Sequence, residues 1–326
     1  MVSIVVPAFN AEATVEECLD SLLRQTYPDF ELIVVDDGSR DTTAELVAAK
    51  AAQDRRIRLL CQTNAGPGAA RNAGIDHATG EWLCFVDSDD TVSPNYLEVL
   101  LSLFEPGVLP AVDVTRSDGA GSALSQIPEV YPIISDFPYA YFCGELGQGI
   151  AYSACNKLFQ TELLRKKNIR FNEHAQIGED MLFTFRYLCE CCEVRLSRDA
   201  VYYYNVSEGS IVKSEKDYTQ DYEMLIKVMR TLDFNGAPID NKVLSDWSFE
   251  AVVFVVANPY IAEMKFHEFR VWWKKFSQTD LYLTSVQSAP ASTAKRRLLQ
   301  ILLRSGAVLP LNVVLRSFDR SRRRNS

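Results

Sequence analysis

Four short apolar runs in the first ninety residues each end in a cluster of polar side chains, and helix-patterned segments separate them. Val2 to Val6 leads into Pro7-Ala8-Phe9-Asn10, Phe30 to Val35 into Asp36-Asp37-Gly38-Ser39, Ile57 to Leu60 into Gln62-Thr63-Asn64, and Trp82 to Val86 into Asp87-Ser88-Asp89-Asp90. After the first, Val15, Cys18, Leu19, Leu22 and Leu23 recur at the spacing of one helix face, while Glu12, Glu16, Glu17 and Asp20 occupy the rest. Thr42 and Glu45 have the spacing of a capping box opening the next helix. Pro67 and Gly80 bracket a third, from about residue 68 to 78. Strands alternating with helices of this length predict an α/β fold, a mostly parallel sheet covered by helices on both faces. Ligands of such sheets bind beyond the carboxyl ends of the strands, so the polar clusters are expected to converge on one crevice.

The last cluster carries the most chemistry. A buried strand delivers three carboxylates, Asp87, Asp89 and Asp90, to one turn. Like charges so placed need a cation or hydrogen-bond donors, and hard oxygen ligands suit Mg²⁺ or Mn²⁺. The plainer alternative is an acidic turn capping the helix that starts near Pro94. Gly66-Pro67-Gly68-Ala69-Ala70-Arg71 imitates a dinucleotide fingerprint only in part, because Arg71 stands where a third glycine is needed. It reads instead as a tight turn opening a helix, with Arg71 either near a ligand or paired with an acidic neighbour. Glu179-Asp180 precedes the apolar pattern Met181, Leu182, Phe183, Phe185, Tyr187 and Leu188, at a helix start that favours acidic residues on electrostatic grounds alone. There is no Gly-x-Ser-x-Gly elbow, His-Glu-x-x-His, Walker loop or kinase motif set.

Taken in order, Val2 to Asn10, Leu22-Leu23-Arg24-Gln25-Thr26-Tyr27, Glu31 to Ser39, Asn64-Ala65-Gly66 through Ala70-Arg71-Asn72-Ala73-Gly74, and Asp87 to Asp90 resemble the motifs of family-2 glycosyltransferases with the GT-A fold. The likeness continues more thinly through Asn156-Lys157-Leu158-Phe159 and Gly178 to Phe183. It implies a GT-A catalytic domain over residues 1–214, with a nucleotide-sugar half at 1–104 and an acceptor half at 105–214. A smaller, mainly helical C-terminal region, 215–326, follows. By the same resemblance Pro7, Ala8 and Phe9 line the base pocket, Asp37 reads the base, and Asn64, Gly66 and Arg71 lie near the donor. Asp87, with Ser88, approaches the ribose, and Asp89, then Asp90, hold the divalent ion. Asp180 is the expected base, with Glu179 in reserve, for a single displacement that inverts the anomeric centre. The implied donor is a nucleotide-diphospho-sugar with uridine as the family's prior, and the implied acceptor is a hydroxyl of a glycan or lipid-linked glycan in cell-surface polysaccharide synthesis. A nucleotidyltransferase would place a glycine-rich basic loop after the first strand, and Pro7 to Asn10 is not one. A sugar-nucleotide-binding protein without turnover is the non-enzymatic alternative.

The chain has 326 residues and a net charge of −9, yet residues 295–326 hold nine Lys or Arg against Asp319 alone. With Leu298, Leu299, Ile301, Leu302 and Leu303 among them, this tail reads as an amphipathic segment docking on an anionic membrane surface, or else as a helix packed on the catalytic domain. The acidic remainder argues against nucleic acid. Ala251 to Ala257 is too short to cross a bilayer and is expected as a buried helix packed with Trp247, Trp272 and Trp273. Of the eight cysteines, Cys189, Cys191 and Cys192 lack metal-finger spacing, while Cys18, Cys61 and Cys84 sit in apolar patterns. With a core strand at the very start, they read as reduced thiols of a cytoplasmic protein, peripheral on the inner membrane face. His77 is expected to be structural, and His174 is a candidate acceptor contact. Residues 105–149 read as irregular, with Tyr131, Phe137, Tyr139, Tyr141 and Phe142 either stacking on sugars or packing. A tyrosine-rich strand is expected at Val201 to Asn205.

Overall fold

Val2–Ala8 (β1) and Phe30–Asp36 (β2) are buried at every position, which is why they read as near-continuous apolar runs. They belong to a computed structural model that describes residues 1–117, 129–132, 153–175, 177–205, 217–234, 236–256, 261, 264–286 and 300–303. The chain divides into two units: Met1–Ala175 with Glu179–Glu208 and Phe234–Ala237, and Gln176–Gly178 with Gly209–Asp233 and Pro238–Ser326.

In the first unit the expected alternation is present. Val15–Leu23 (α1) follows β1, Thr43–Ala51 (α2) follows β2, and Ile57–Cys61 (β3), Pro67–His77 (α3) and Trp82–Phe85 (β4) complete the series. The sheet order is β3-β2-β1-β4, all parallel, with Phe159–Gln160 added antiparallel on β4. The chain therefore builds outward from β1 to β3 and then crosses back to the other side of β1. That reversal opens a crevice past the carboxyl ends of β1 and β4, where ligands of open α/β sheets bind. Helix α3 lies directly on β1, because a Cβ at Gly74 would come within 2.2 Å of a Val5 methyl.

Thr91–Val92 (β5), Tyr96–Ser102 (α4), Val108–Arg116 (β6), Val130–Pro132 (β7), Phe159–Gln160 (β8), Thr161–Lys166 (α5), Glu179–Leu188 (α6) and Glu193–Tyr204 (β9) follow. A second sheet is centred on β9, which pairs with β5, β6 and β7. Here the expectation of irregular chain from 105 onward is corrected. β6 is a nine-residue strand that Pro110 conceals, since proline removes a ladder donor and reads as a breaker except on outer strands. The tyrosine-rich strand also starts earlier than expected, at Glu193. Helix α6 is anchored by its aromatic face: Phe183 stacks on Phe171 at 4.0 Å and meets Phe85 and Phe159 edge-on at 5.4 and 5.2 Å. Each such burial stabilises by roughly 1.5–3 kcal/mol, and together they fix where the helix's first turn points.

The second unit is mainly helical: Thr219–Met229 (α7), Asn241–Val256 (α8), Phe266–Phe276 (α9) and Asp280–Ser285 (α10). The apolar stretch near 251 lies in α8 with Ala251 and Val252 buried. Trp247 meets Tyr222, while Trp272 and Trp273 cluster with Phe269, Phe276 and Tyr282. Among the described residues no helix is long and apolar enough to cross a membrane. Phe137, Tyr139, Tyr141, Phe142 and all of the tail but residues 300–303 lie outside the described residues.

Candidate active site

The loops beyond β1 and β2 are tied to each other. Asn10, left-handed at φ 49°, donates its amide to Ser39 Oγ and accepts from the Arg40 amide, both at 2.9 Å. Glu12 accepts from the Thr42 amide at 3.1 Å and from the Thr42 hydroxyl at 2.8 Å. Thr42 is thus spent on a loop-to-loop bond, and α2 has no side-chain cap; the capping box expected with Glu45 is not formed. Pro7 and Ala8 are buried, and the Phe9 ring stands 48 % exposed at the end of β1.

Asp37 holds the next loop. Its carboxylate accepts from Gln62 Nε2 at 2.8 Å and from the Ala65 and Gly66 amides at 2.9 and 2.8 Å, while its carbonyl accepts from Asn64 Nδ2 at 3.0 Å. Three of about four acceptor positions on the carboxylate are filled within the protein, which leaves one for a ligand. Gly38 cannot be replaced easily, because it adopts φ 72° and its Cβ would lie 2.9 Å from the Asn64 nitrogen. Gly66, at φ 93°, turns this loop into α3.

Arg71 stands on the second turn of α3, about 8 Å along the axis from Gly66. It is 5 % exposed and faces three carboxylates. Its Nη2 donates to Asp87 Oδ1 at 2.8 Å; its Nη1 lies 3.0 Å from Asp180 Oδ1 and 3.6 Å from Glu179 Oε1. The Asp180 contact is ionic without an aligned hydrogen bond, so Arg71 Nε and Nη1 and Asp180 Oδ1 are buried with no such partner among the described residues. The guanidinium also lies over the Phe171 ring, 5.3 Å from its centre. Burial raises the pKa of Asp180 from its ordinary value, and Arg71 opposes that rise. Burial, then the charge of Asp180, pushes Glu179 up to about 7.

In the acidic turn the carboxylates part ways. Asp89 is partly exposed and makes no ion pair among the described residues; burial and the adjacent Asp87 raise its pKa. Asp90 is 1 % exposed, accepts from the Tyr202 hydroxyl and, at 2.7 Å, from the Asn205 amide, and is raised by burial to about 8. A carboxyl so enclosed braces the turn against β9. His174 is exposed, and His77 closes α3 with its Nδ1 near the Ala73 carbonyl at 2.9 Å.

The structure thus gathers Asp37, Asn64 and Gly66 around one loop, and Arg71, Asp87, Glu179 and Asp180 around one guanidinium. Three participants were not expected from the sequence. Tyr202 supports the acidic turn, Asn72 pairs with the backbone of Phe171 through both ends of its amide, at 3.0 and 2.9 Å, and Lys157 is wholly buried. The visible signal for Asn72 and Lys157 was their place in the family-like stretches Ala70 to Gly74 and Asn156 to Phe159.

Residues 3–166, half of the chain, match the family model described as Glycosyl transferase family 2, and the chain belongs to that family. The uncharacterized glycosyltransferase EpsJ of Bacillus subtilis (strain 168) is 31 % identical over 217 residues, 65 % of this chain and 63 % of EpsJ. Poly(ribitol-phosphate) beta-N-acetylglucosaminyltransferase TarS of Staphylococcus aureus (strain Mu50 / ATCC 700699) is 27 % identical over 281 residues, 83 % of this chain and 47 % of TarS. The matched stretch therefore spans less than two thirds of either relative. The crystal structure of S. aureus TarS 1-349 in complex with UDP-GlcNAc superposes with a TM-score of 0.73 at 23 % identity, over 100 % of this chain and 92 % of that one. The mannosyltransferase PcManGT from Pyrobaculum calidifontis, in complex with GDP-Man and Mn²⁺, reaches 0.50 at 17 % identity, over 97 % of this chain and 85 % of that one. The likeness to TarS establishes the expected α/β fold of the GT-A class with a smaller, mainly helical C-terminal region.

Proposed function

We propose that this chain is an inverting glycosyltransferase that moves a sugar from a UDP-sugar to a hydroxyl of a glycan or lipid-linked glycan acceptor. The observation that carries the reading is Arg71, one buried guanidinium that joins Asp87 of the acidic turn to Asp180 at the start of α6. The donor lies across the crevice past β1 and β4, its base between Phe9 and the loop that Asp37 holds, with Asn64 and Gly66 alongside and Asp87 and Ser88 toward the ribose. UDP-GlcNAc bound to TarS supports the uridine nucleotide, and the poly(ribitol-phosphate) in that relative's name supports a hydroxyl acceptor on a cell-surface polymer.

Asp89 fits a divalent cation. It is a partly exposed hard-oxygen ligand crowded by a like charge, and no set of three protein ligands surrounds it among the described residues. One or two carboxylates completed by the phosphates of the substrate is the usual environment of Mg²⁺. When bound, Mg²⁺ or Mn²⁺ neutralises charge on the departing nucleoside diphosphate. Asp180 accepts the proton of the acceptor hydroxyl as that oxygen attacks the anomeric carbon opposite the leaving phosphate. Burial makes Asp180 a stronger base than a solvated carboxylate, and Arg71 keeps it ionised and aimed. Glu179 is the reserve. The catalytic domain extends to residue 214, and the basic tail at 295–326 docks on the anionic inner face of the membrane, where a lipid-linked acceptor is presented.

Nucleoside diphosphate release from a panel of UDP-, GDP- and dTDP-sugars with Mn²⁺ tests the reading. UDP-sugars are expected to turn over, and Asp180→Asn is expected to lower the rate by about 10²–10⁴ with UDP binding retained. Unchanged turnover in the folded variant would overturn the assignment of the base.

A further inference from the structure

We infer that Lys157 is a positioning residue for Asp180: its ammonium gathers the loop that cradles the base and supplies a second positive charge beside that of Arg71. The inference rests on the reading of Asp180 as the base. Residues Ser153 to Leu158 run between the two sheets, with Cys155 bridged to Phe85 at the end of β4 and Lys157 bridged to Ala111 in β6. Asn156, left-handed at φ 58°, turns this segment and is fixed by two bonds to the Val112 backbone, at 2.6 and 3.0 Å. Lys157 is 0 % exposed, and its ammonium donates to the carbonyls of Ser153 and Cys155 at 2.7 and 3.3 Å and to Asn156 Oδ1 at 2.8 Å. All three N–H bonds are thereby used.

The same Ser153 carbonyl accepts from Thr184 Oγ1 at 3.3 Å. Thr184 is fully buried and lies one turn after Asp180, on the same face of α6. The amide of Ala154, next in the loop, favours the ionised form of Asp180. The loop that Lys157 gathers is therefore the loop against the base. A neutral donor could tie these carbonyls, and burying an ammonium is costly unless its charge is used.

The charges facing Asp180 are Arg71 from α3, Lys157 from this loop, Asp87 from the acidic turn and Glu179 from its own helix. Cys155, which couples to both cations, stays a thiol because burial raises it strongly. Burial lowers Lys157 to about 7. It is thus charged through the acidic range in which a buried carboxylate gains its proton, and there it holds Asp180 ionised.

The test is the pH dependence of kcat for UDP release from UDP-GlcNAc with Mn²⁺, in the full chain, for the native protein, Lys157→Met and Lys157→Gln. Both variants are neutral, and glutamine still donates hydrogen bonds. The acidic limb is expected to move up by about one pH unit in both, with KM little changed. An acidic limb left in place, whatever the fall in kcat, overturns the proposal and makes Lys157 a tie for the loop alone. If Lys157→Met lacks a cooperative unfolding transition, Lys157→Gln decides. Asp180→Asn, measured alongside, separates the two levels: native turnover there removes the base and Lys157 together, whereas its inactivity with an unmoved limb removes Lys157 only.

Discussion

Three carboxylates, themselves only partly exposed, lie within 3.6 Å of the buried Arg71 guanidinium, which is the cation they share. Arg71→Met strands Asp87, Glu179 and Asp180 together, and breaking such a buried cluster costs about 3–5 kcal/mol. Urea unfolding is expected to show a loss of that size; a variant within about 1 kcal/mol of native would mean that the cluster is solvated or unpaired. Arg71→Lys keeps a charge but cannot span two carboxylates, and is expected to fall between. Residues whose chemistry is local were legible in the sequence: Asp37, Arg71, Asp87, Asp89 and Asp180 announce themselves by type and by motif. The roles of Asn72 and Tyr202 did not, because each acts through what it touches 99 or 115 positions away in Phe171 and Asp87, and Lys157, though inside a family-like stretch, is buried only by the fold. Asp90 is the converse case: its type is plain in the sequence, and its bonds to Tyr202 and Asn205 exist only in the fold.

Helix α3 is the element that turns sheet geometry into site geometry. Gly74 seats it on Val5, Gly68 brings it against Phe171 and Asn172, and Asn72 locks it to the Phe171 backbone, so Arg71 between them has one place to stand. In an exposed helix, glycine to alanine stabilises by roughly 0.5–1 kcal/mol. At Gly74 the added methyl would overlap Val5, and the sign is expected to reverse, with a loss of about 1–3 kcal/mol. Turnover should fall as well, since α3 must lift and carry Arg71 with it. Chemical denaturation of Gly74→Ala checks the sign directly, and a stabilised variant would refute the packing. At this scale the strands and helices up to β4 were legible, since each buries a continuous run or one periodic face. β6 was hidden by Pro110, and the capping box failed because Glu12, thirty positions away, offered Thr42 a better partner.

Over the whole chain, the convergence of the polar clusters followed from the parallel sheet: strands that share a direction bring their carboxyl ends to one edge, whatever their separation in sequence. What that edge does to stability depends on buried charge, which sequence alone does not reveal. Glu179 releases its proton near 4.5 when unfolded and near 7 when folded. Between those values the folded chain holds a proton that the unfolded chain has lost, so stability falls as pH rises from 4.5 to 7. Lys157 acts in the opposite sense, titrating near 10.5 when unfolded and near 7 when folded. From 7 to 10.5 the unfolded chain holds the extra proton, and stability climbs as pH rises. Asp90, raised by burial from 3.8 to about 8, adds a second falling slope, so the arms meet in a minimum between about pH 7 and 8, an unusual place for one, since paired surface carboxylates generally put maximal stability near there. Urea midpoints measured across that range are expected to dip between about pH 7 and 8, Glu179→Gln should make the acidic arm shallower with the Asp90 slope remaining, and Lys157→Met should flatten the alkaline arm. A midpoint that peaks at neutral pH and ignores both substitutions would place these groups in water, and with them the site that depends on their burial.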